Sequence, residues 1–280
     1  MDDETGETLL ALLGMTVYGI EPVIINANPS APIGFTALSA TVASLILWPA
    51  MIYTGGTAEI RENPSQLWKG ALVGLFGTAL AYTAYSYGAR MSTAVNAAII
   101  TRSEVLWSIV LSWSILRERI NGRFLGSVFL ILTGLMILIT GGGKVKPHPG
   151  DLLLLLVPLF WQIGHVIAKH LPYGPLTIAT LRNTFGALLL APAALAGGME
   201  PTRFALLEGL MIALGQVIWY GAIKRINLSK ATAIITPAPV VAMVLSITSG
   251  EKLTALSVLS FILVSAGTLG AVRTESELRT

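Results

Sequence analysis

The sequence predicts an all-α polytopic membrane protein with ten transmembrane helices, arranged as two inverted five-helix repeats. Of the 280 residues, 54% are hydrophobic and 12% are charged, which is about half the charged fraction of a typical soluble domain. Apolar runs of about 20 residues, long enough to cross the hydrocarbon as helices, follow one another along most of the chain. The segment 32–50 also returns 143 residues later as 175–193.

The apolar runs are separated by short breaks rich in Gly, Pro and Asn, the residue types that end helices. We number the predicted spans 1 to 10 in chain order and keep these numbers throughout. They cover residues 7–27, 33–54, 67–89, 92–115, 122–141, 150–170, 174–196, 203–223, 229–248 and 255–272. Because residues 2–4 are acidic where a signal peptide would be basic, span 1 is predicted to be a retained helix. The loops are too short for a separate extramembrane domain.

The internal repeat defines the two halves. Segments 32–50 and 175–193 are identical at seven of nineteen positions. Further matching pairs, in chain order, are Tyr85/Tyr220, 98–101/233–236, Glu118/Glu251 and Gly134/Gly267. Since each half has five spans, an odd number, the halves must lie in opposite orientations in the membrane, as in many secondary transporters. The predicted repeats are 1–141 and 150–273, within one membrane domain.

The distribution of basic residues predicts the orientation. Of the 18 lysines and arginines, eleven lie in loops or helix ends on the N-terminal side and five on the other, while Arg102 and Arg182 lie within spans. Because cytoplasmic loops are enriched in Lys and Arg, both termini are predicted to be cytoplasmic, in a multi-pass protein of the inner (cytoplasmic) cell membrane. This scatter among apolar runs argues against nucleic-acid binding.

Short motifs recur at corresponding places in the two halves. They are Arg117-Glu118-Arg119-Ile120 after span 4, Gly250-Glu251-Lys252-Leu253 after span 9, Gly134 and Gly267 in the helices that follow, Gly150-Asp151 opening span 6, and Arg182 in span 7. This pattern resembles the EamA-type members of the drug/metabolite transporter superfamily. The resemblance implies a transporter, often an exporter of amino acids or other small metabolites. Residues 102–104 depart from the repeat, because span 9 has Pro237 and Pro239 at the matching place.

Four charged residues fall well inside predicted spans: Glu21, Arg102, Glu104 and Arg182. Charges at such depth are costly, so they face the bundle interior or water and usually have partners. One interpretation is a structural network of ion pairs, and the other is a pair that opens when a substrate or a proton binds. Glu104 is the first candidate for proton coupling, followed by Glu21 and the intramembrane His165.

Arg182 is the leading candidate for substrate binding. The repeat places Ser39 at the matching position, so symmetry does not require a cation there. A guanidinium can grip two oxygens of a carboxylate or phosphate. The alternatives are an ion pair with Glu104 or a cap on unwound backbone.

Other residues complete the predicted substrate site. Tyr82, Trp107 and Trp161 lie deep enough to line a cavity, with ordinary packing as the alternative, and Asn96 and Gln216 are polar candidates for the same cavity, together with Arg102 and Glu104. Two prolines, Pro237 and Pro239, predict a break near the middle of span 9, and broken helices often form transporter sites. Two Gly-x-x-x-Gly motifs, at 70–74 and 122–126, predict close helix packing.

The sequence thus predicts a secondary-active carrier that moves a small, amino-acid-like metabolite by alternating access, with export favoured by the resemblance and proton coupling through Glu104 or Glu21. One alternative is proton-coupled efflux of cationic aromatic drugs. Another, of a different class, is a lipid scramblase or a non-transporting membrane protein. A single chain supplies both halves, so a monomer or a homodimer is expected.

The sequence argues against an enzyme. It contains no GxxxxGK[ST] phosphate-binding loop, and its three histidines lack a metal-ligand spacing such as HExxH. Cysteine is absent, so thiolate metal sites are excluded. No cofactor and no metal are therefore predicted, and the expected partners are the small-molecule substrate and the lipid bilayer.

Overall fold

The computed structural model describes residues 9, 11–18, 20, 24, 28–92, 94–240 and 254–274, and within these ranges the chain is helical, without strands. Seven helices in the described part are long and apolar enough to cross a membrane: Pro32–Tyr53, Ile99–Leu116, Gly122–Thr140, Asp151–Lys169, Pro175–Gly197, Arg203–Ile223 and Ala255–Arg273. They correspond to predicted spans 2, 4, 5, 6, 7, 8 and 10. Glu21 and the motif 250–253 lie outside the described residues.

The remaining helices fall in spans 3, 4 and 9 and in the loop before span 3. Residues 11–18 of span 1 are also helical. Span 3 comprises Leu67–Gly74, a π-helical segment Leu75–Leu80, and Ala81–Arg90. Span 4 comprises Ala94–Thr101, Glu104–Leu111 and a π-helical segment Ser112–Leu116, and span 9 begins with Leu228–Ile235. Two short helices, Gly56–Glu62 and Pro64–Gln66, connect spans 2 and 3.

Span 4, predicted as one uninterrupted helix, is broken at Arg102 and Ser103. The amide of Arg102 bonds the carbonyl of Ile99 and that of Ser103 bonds the carbonyl of Ile100, both at 3.0 Å. These bonds to the third preceding residue tighten the chain into a turn, so the helix ends without a proline. The predicted break in span 9 is confirmed, as a turn at Thr236 and Pro237.

The repeated segments of spans 2 and 7 pack against each other. The Ser44 and Thr184 hydroxyls lie 2.7 Å apart, and the indole N–H of Trp48 donates to the Thr184 hydroxyl at 3.0 Å. Small and hydroxylated residues at such contacts let membrane helices approach closely and hydrogen-bond across their interface. Span 2 therefore bonds directly to its counterpart.

Spans 5 and 10 also pack against each other, through glycines that make reciprocal contacts. A Cβ atom on Gly134 would lie 3.0 Å from the carbonyl oxygen of Ser260, and one on Gly267 would lie 2.6 Å from that of Ser127. Both pairs, Gly134/Gly267 and Ser127/Ser260, are separated by 133 residues in the sequence. Gly134 therefore packs against Ser260 in the same way as its counterpart Gly267 packs against Ser127, the counterpart of Ser260.

Of the two Gly-x-x-x-Gly motifs, only the first lies in a close contact. A Cβ on Gly70 would lie 2.9 Å from Leu181 Cδ1, and one on Gly74 would lie 2.9 Å from the carbonyl of Arg182, so the predicted packing is confirmed against span 7. For Gly122 and Gly126 the predicted packing is not found among the described residues, because no described atom lies within 4 Å of either Cβ position. The 122–126 face is turned away from the described helices.

This difference gives a matched test within span 5. We expect Gly134→Ala to destabilise the protein by about 1–3 kcal/mol, because the added methyl group would force spans 5 and 10 apart. Gly126→Ala should be neutral or slightly stabilising, because alanine is the better helix former and no described atom lies within 4 Å of this Cβ position. Thermal unfolding of the two purified variants in detergent would measure both effects. An unchanged melting temperature for Gly134→Ala would contradict the close contact.

Candidate functional site

The breaks in spans 4 and 9 meet each other. The amide of Val240 bonds the carbonyl of Pro237 at 2.8 Å. A regular helix would place that amide on the carbonyl of Thr236. The Thr236 carbonyl instead faces Arg102, whose Nη1 is the donor at 3.5 Å. The two interrupted helices, one from each half, are thus connected by a cation of one half and a released carbonyl of the other.

Glu104 is the first residue of the helix that resumes after the break in span 4, and it is buried. A carboxylate is electrostatically favoured at a helix N-terminus. Its Oε1 accepts a hydrogen bond from Gln162 Nε2 at 2.8 Å, and the same Nε2 lies 3.4 Å from the hydroxyl of Thr232. Glu104, Gln162 and Thr232 form a polar bridge between spans 4, 6 and 9.

Sequence reasoning missed Gln162 and Thr232. Gln162 is fully buried, and its Oε1 has no hydrogen-bond partner among the described residues. The available signal was its position, because it is the one amide in the apolar run 152–164. A buried amide oxygen without a partner costs about 1–3 kcal/mol, so its retention favours a ligand or a water at this place.

Arg182 binds the π-helical segment of span 3. Its Nη2 donates to the Gly77 carbonyl at 2.6 Å, and its Nε donates to the Thr78 hydroxyl at 3.2 Å. Its Nη1 donates to the Tyr220 hydroxyl at 3.2 Å. Gly77 is required for this arrangement, since a Cβ there would lie 3.0 Å from Nε. The sequence left two alternatives to a substrate role, an ion pair with Glu104 or a cap on unwound backbone. The structure contains the second, because Arg182 bonds the irregular backbone of span 3.

The charge of Arg182 is not neutralised by an ion pair within the described part of the chain. The residue is 5% exposed, and no described carboxylate lies within 4.0 Å of its guanidinium. Three of its five N–H groups bond neutral acceptors, which leaves two for another acceptor. A cation held in this way is prepared to bind an anion.

Aromatic rings adjoin the guanidinium. His165 lies edge-on to Trp219, with ring centroids 5.0 Å apart, and 6.2 Å from Tyr220. Tyr82 and Trp161 form a second edge-on pair at 6.1 Å. Among the described residues, neither Trp161 Nε1 nor His165 Nδ1 has a hydrogen-bond partner. In span 6, ring nitrogens of Trp161 and His165 thus have no partner among the described residues. In span 7, Arg182 uses only three of its five N–H groups.

The other predicted site residues fall in different places. Gln216 is buried, and its Oε1 accepts from Asn183, the neighbour of Arg182, at 2.8 Å. Trp107 is half-buried, one turn after Ser103, in the resumed helix of span 4. Asn96 belongs to another cluster, because its Nδ2 donates to the carbonyl of Lys146 and to Asp151 Oδ2, both at 2.8 Å. It holds the connection between the halves rather than the break region.

Two further charged residues are buried, although the sequence analysis counted only four within spans. Glu208 is 2% exposed and Lys230 is 3% exposed. Lys230 was counted with the loops and helix ends on the N-terminal side, and Glu208 was not singled out. Next to Glu208, Gly209 packs against span 2, with its Cβ position 2.9 Å from the carbonyl of Ser39.

A polar cluster connects the end of span 4 with the end of span 6 and the start of span 9. We call Glu118, Lys169, Leu228 and Ser229 the Glu118 cluster. Glu118 Oε1 accepts from Lys169 Nζ at 2.7 Å and from the Leu228 amide at 2.8 Å, and Oε2 accepts from the Ser229 hydroxyl at 3.1 Å. Burial acts to raise the pKa of Glu118, but Lys169 and the amide hydrogen bond lower it more, so this pKa lies below its ordinary value.

The Glu118 cluster predicts a pH-dependent contribution to stability. Because the folded-state pKa of Glu118 is depressed, its stabilisation is present above the ordinary carboxyl value of about 4.3 and is lost as the pH falls through the depressed value. We expect Glu118→Gln to destabilise the protein by about 3 kcal/mol at pH 7 and by progressively less in acid. Thermal unfolding across this pH range measures the difference. Glu62→Gln, at an exposed position, is the control, and identical curves for the Glu118 variant and the parent protein would contradict the prediction.

Comparison with known protein families finds two matches to one family along the chain. The EamA-like transporter family matches residues 6–140 and again 148–273. The uncharacterized transporter YyaM of Bacillus subtilis (strain 168) is 23% identical over 250 residues, covering 82% of this chain and 81% of that protein. An uncharacterized transporter of Archaeoglobus fulgidus is also 23% identical, over 247 residues and 83% of each chain.

A solved crystal structure shares the fold. It is 17% identical in sequence, superposes with a TM-score of 0.79, and is matched over 96% of this chain and 98% of its own. The two family matches lie on either side of the connection near 141–147 and together span most of the sequence. With its apolar helices, the chain is a multi-pass membrane protein, and it belongs to the EamA-like transporter family.

Proposed function

We propose that this protein is a secondary-active carrier that moves a small, amino-acid-like metabolite bearing a carboxylate across the inner (cytoplasmic) membrane, outwards, by alternating access. Both termini lie in the cytoplasm. The single observation that carries the proposal is the meeting of two interrupted helices, through Arg102 and the Thr236 carbonyl. Discontinuous helices at the centre of the membrane form substrate sites in inverted-repeat transporters.

The internal repeat of the sequence is the first support. The reciprocal contacts of Gly134 and Gly267 are those expected when a twofold axis relates spans 5 and 10, because each partner then presents the same surface to the other. The packing of span 2 against its counterpart, span 7, follows the same logic. Two halves related in this way can rock against each other about the central site.

The charge of the site supports an anionic group on the substrate. Arg182 is buried among neutral acceptors, and the Gly77 carbonyl and Thr78 and Tyr220 hydroxyls hold it in place. A substrate carboxylate would accept from its two remaining N–H groups. Two guanidiniums near the breaks disfavour the alternative of cationic drug efflux, because a cationic substrate would have to approach them.

Contacts at one end support a state closed towards the cytoplasm. The Glu118 cluster joins the end of span 4 to the start of span 9. Beside it, the Gly174 amide donates to Glu59 at 2.8 Å, and the Tyr173 hydroxyl donates to the Asn63 carbonyl at 2.6 Å. These bonds would have to break for the site to open on that side. Alternating access therefore predicts that they form and break during each cycle.

Counterflow in proteoliposomes tests the proposal. Vesicles loaded with an unlabelled amino-acid mixture, including neutral and aromatic members, should take up a labelled amino acid faster than empty vesicles, and the corresponding methyl esters should not compete. Competition by quaternary ammonium compounds alone would favour cationic drug efflux. Movement of labelled lipid between leaflets without solute counterflow would favour a scramblase. Either result would overturn the proposed function.

A further inference from the structure

The end of span 4 carries a second feature, a basic cavity just beyond the candidate membrane helix Ile99–Leu116. This cavity of about 880 Å³ is lined by Trp113, Ser114, Arg117, Glu118, Arg119 and Ile120. Arg117 and Arg119 are exposed. The single acid in the lining, Glu118, is already bonded to Lys169 and to the start of span 9. The cavity therefore presents an excess of positive charge.

The basic surface continues into the protein. Arg119 also lines a narrow cleft between spans 5, 9 and 10, together with Asn227, Ser229, Lys230 and Thr274. Lys230, at 3% exposure, is a buried cation in the wall of this cleft. Hydroxyl and amide groups surround it. Phosphate oxygens are recognised by such combinations of guanidinium, ammonium and hydroxyl donors.

The cavity also has an exposed apolar lining residue, Trp113. Trp113 is 67% exposed, although it belongs to a helix long and apolar enough to cross the membrane. Tryptophan is enriched where a membrane helix meets the headgroup layer. The site thus offers donors for an anion and, at Trp113, an apolar surface for an acyl chain.

We propose that this cavity binds an anionic phospholipid, with its phosphate between Arg117 and Arg119 and an acyl chain along Trp113. Basic pockets between transmembrane helices are suited to anionic headgroups. A soluble anion would use the arginines but not the exposed Trp113. Because the same turn carries Glu118, the bound lipid also stabilises the contact between span 4 and the start of span 9. The site is independent of which solute is carried.

The test measures thermal stability of the purified full chain in mixed micelles. Dioleoyl phosphatidylglycerol should raise the apparent melting temperature, whereas dioleoyl phosphatidylcholine and inorganic phosphate should not. The double variant Arg117→Gln/Arg119→Gln should shift the lipid concentration for half-maximal effect upwards by about 30-fold, since both basic contacts are lost. Arg61→Gln, which removes an exposed charge at the same end of the bundle, is the control and should respond as the parent protein does.

A second pair of substitutions separates recognition from folding. Arg117→Lys/Arg119→Lys keeps the charge and should restore most of the response. The proposal is overturned if phosphatidylcholine stabilises as well as phosphatidylglycerol, if inorganic phosphate alone reproduces the effect, or if the glutamine variant responds at the same lipid concentration as the parent. Counterflow is not used as the readout, so failure of the proposed transport activity would leave this result unaffected.

Discussion

Replacing Arg182 with glutamine is expected to weaken substrate binding at least about tenfold, measured as the concentration for half-maximal counterflow. Hydrogen bonds to a charged group contribute about 1.5–3 kcal/mol, and the proposed carboxylate loses both its ion pair and its bidentate donor. Arg182→Lys should recover only part of the loss, because an ammonium is a point charge without the planar fork of a guanidinium. A neutral analogue of the substrate should bind the variant and the parent protein alike.

Gly77→Ala tests the position of the Arg182 guanidinium without removing its charge. The new Cβ would lie 3.0 Å from Arg182 Nε and 3.1 Å from Cζ, so the guanidinium must shift while the charge remains. We expect this variant to resemble Arg182→Gln in affinity. Arg203→Gln removes a guanidinium that stacks on Phe204 at an exposed position, and it should leave transport unchanged. Parent-like affinity in Arg182→Gln would remove this residue from the substrate site.

The elements that the sequence predicted well are those set by local residue type. Apolar runs and helix-ending residues placed spans 2, 5, 6, 7, 8 and 10 within a few residues of their observed bounds. The break at Pro237 followed from the missing N–H of proline. The break at Arg102 and Ser103 could not be predicted in the same way, because neither residue forbids a helix. At this break the Arg102 side chain donates to the Thr236 carbonyl of span 9, a contact that only the folded chain provides.

The candidate site was predicted in part for the same reason. A charge in an apolar run is visible in the sequence, so Glu104 and Arg182 were identified, and both are buried in the structure. Their partners are a glutamine from span 6 and a backbone carbonyl at Gly77. Carbonyls carry no sequence signal, and π-helical segments have none that a single chain reveals. Asn96 shows the converse, since a polar residue in a predicted span bonds Asp151 at the connection between the halves.

Replacing Glu104 with glutamine is expected to abolish transport driven by a pH gradient while leaving counterflow at symmetric pH close to that of the parent protein. The amide oxygen of the new side chain can still accept from Gln162 Nε2, so the polar bridge to spans 6 and 9 is kept. Only the ionisable proton is lost. Uphill substrate movement in proteoliposomes with an imposed pH difference measures the coupling, and counterflow in the same vesicles reports the carrier itself.

Two further variants make the result specific. Gln162→Leu removes the donor to Glu104 but keeps the carboxyl group, so coupling should persist with an altered pH dependence. His165→Gln tests the other described candidate for proton transfer; its ring packs on Trp219 and Tyr220, and a packing role predicts loss of stability with coupling intact. If Glu104→Gln still concentrates substrate against its gradient, the proton is carried elsewhere or the driving force is another ion. The broken helices and Arg182 would then still form the proposed substrate site. Transport would be driven through residues outside the polar bridge of Glu104, Gln162 and Thr232.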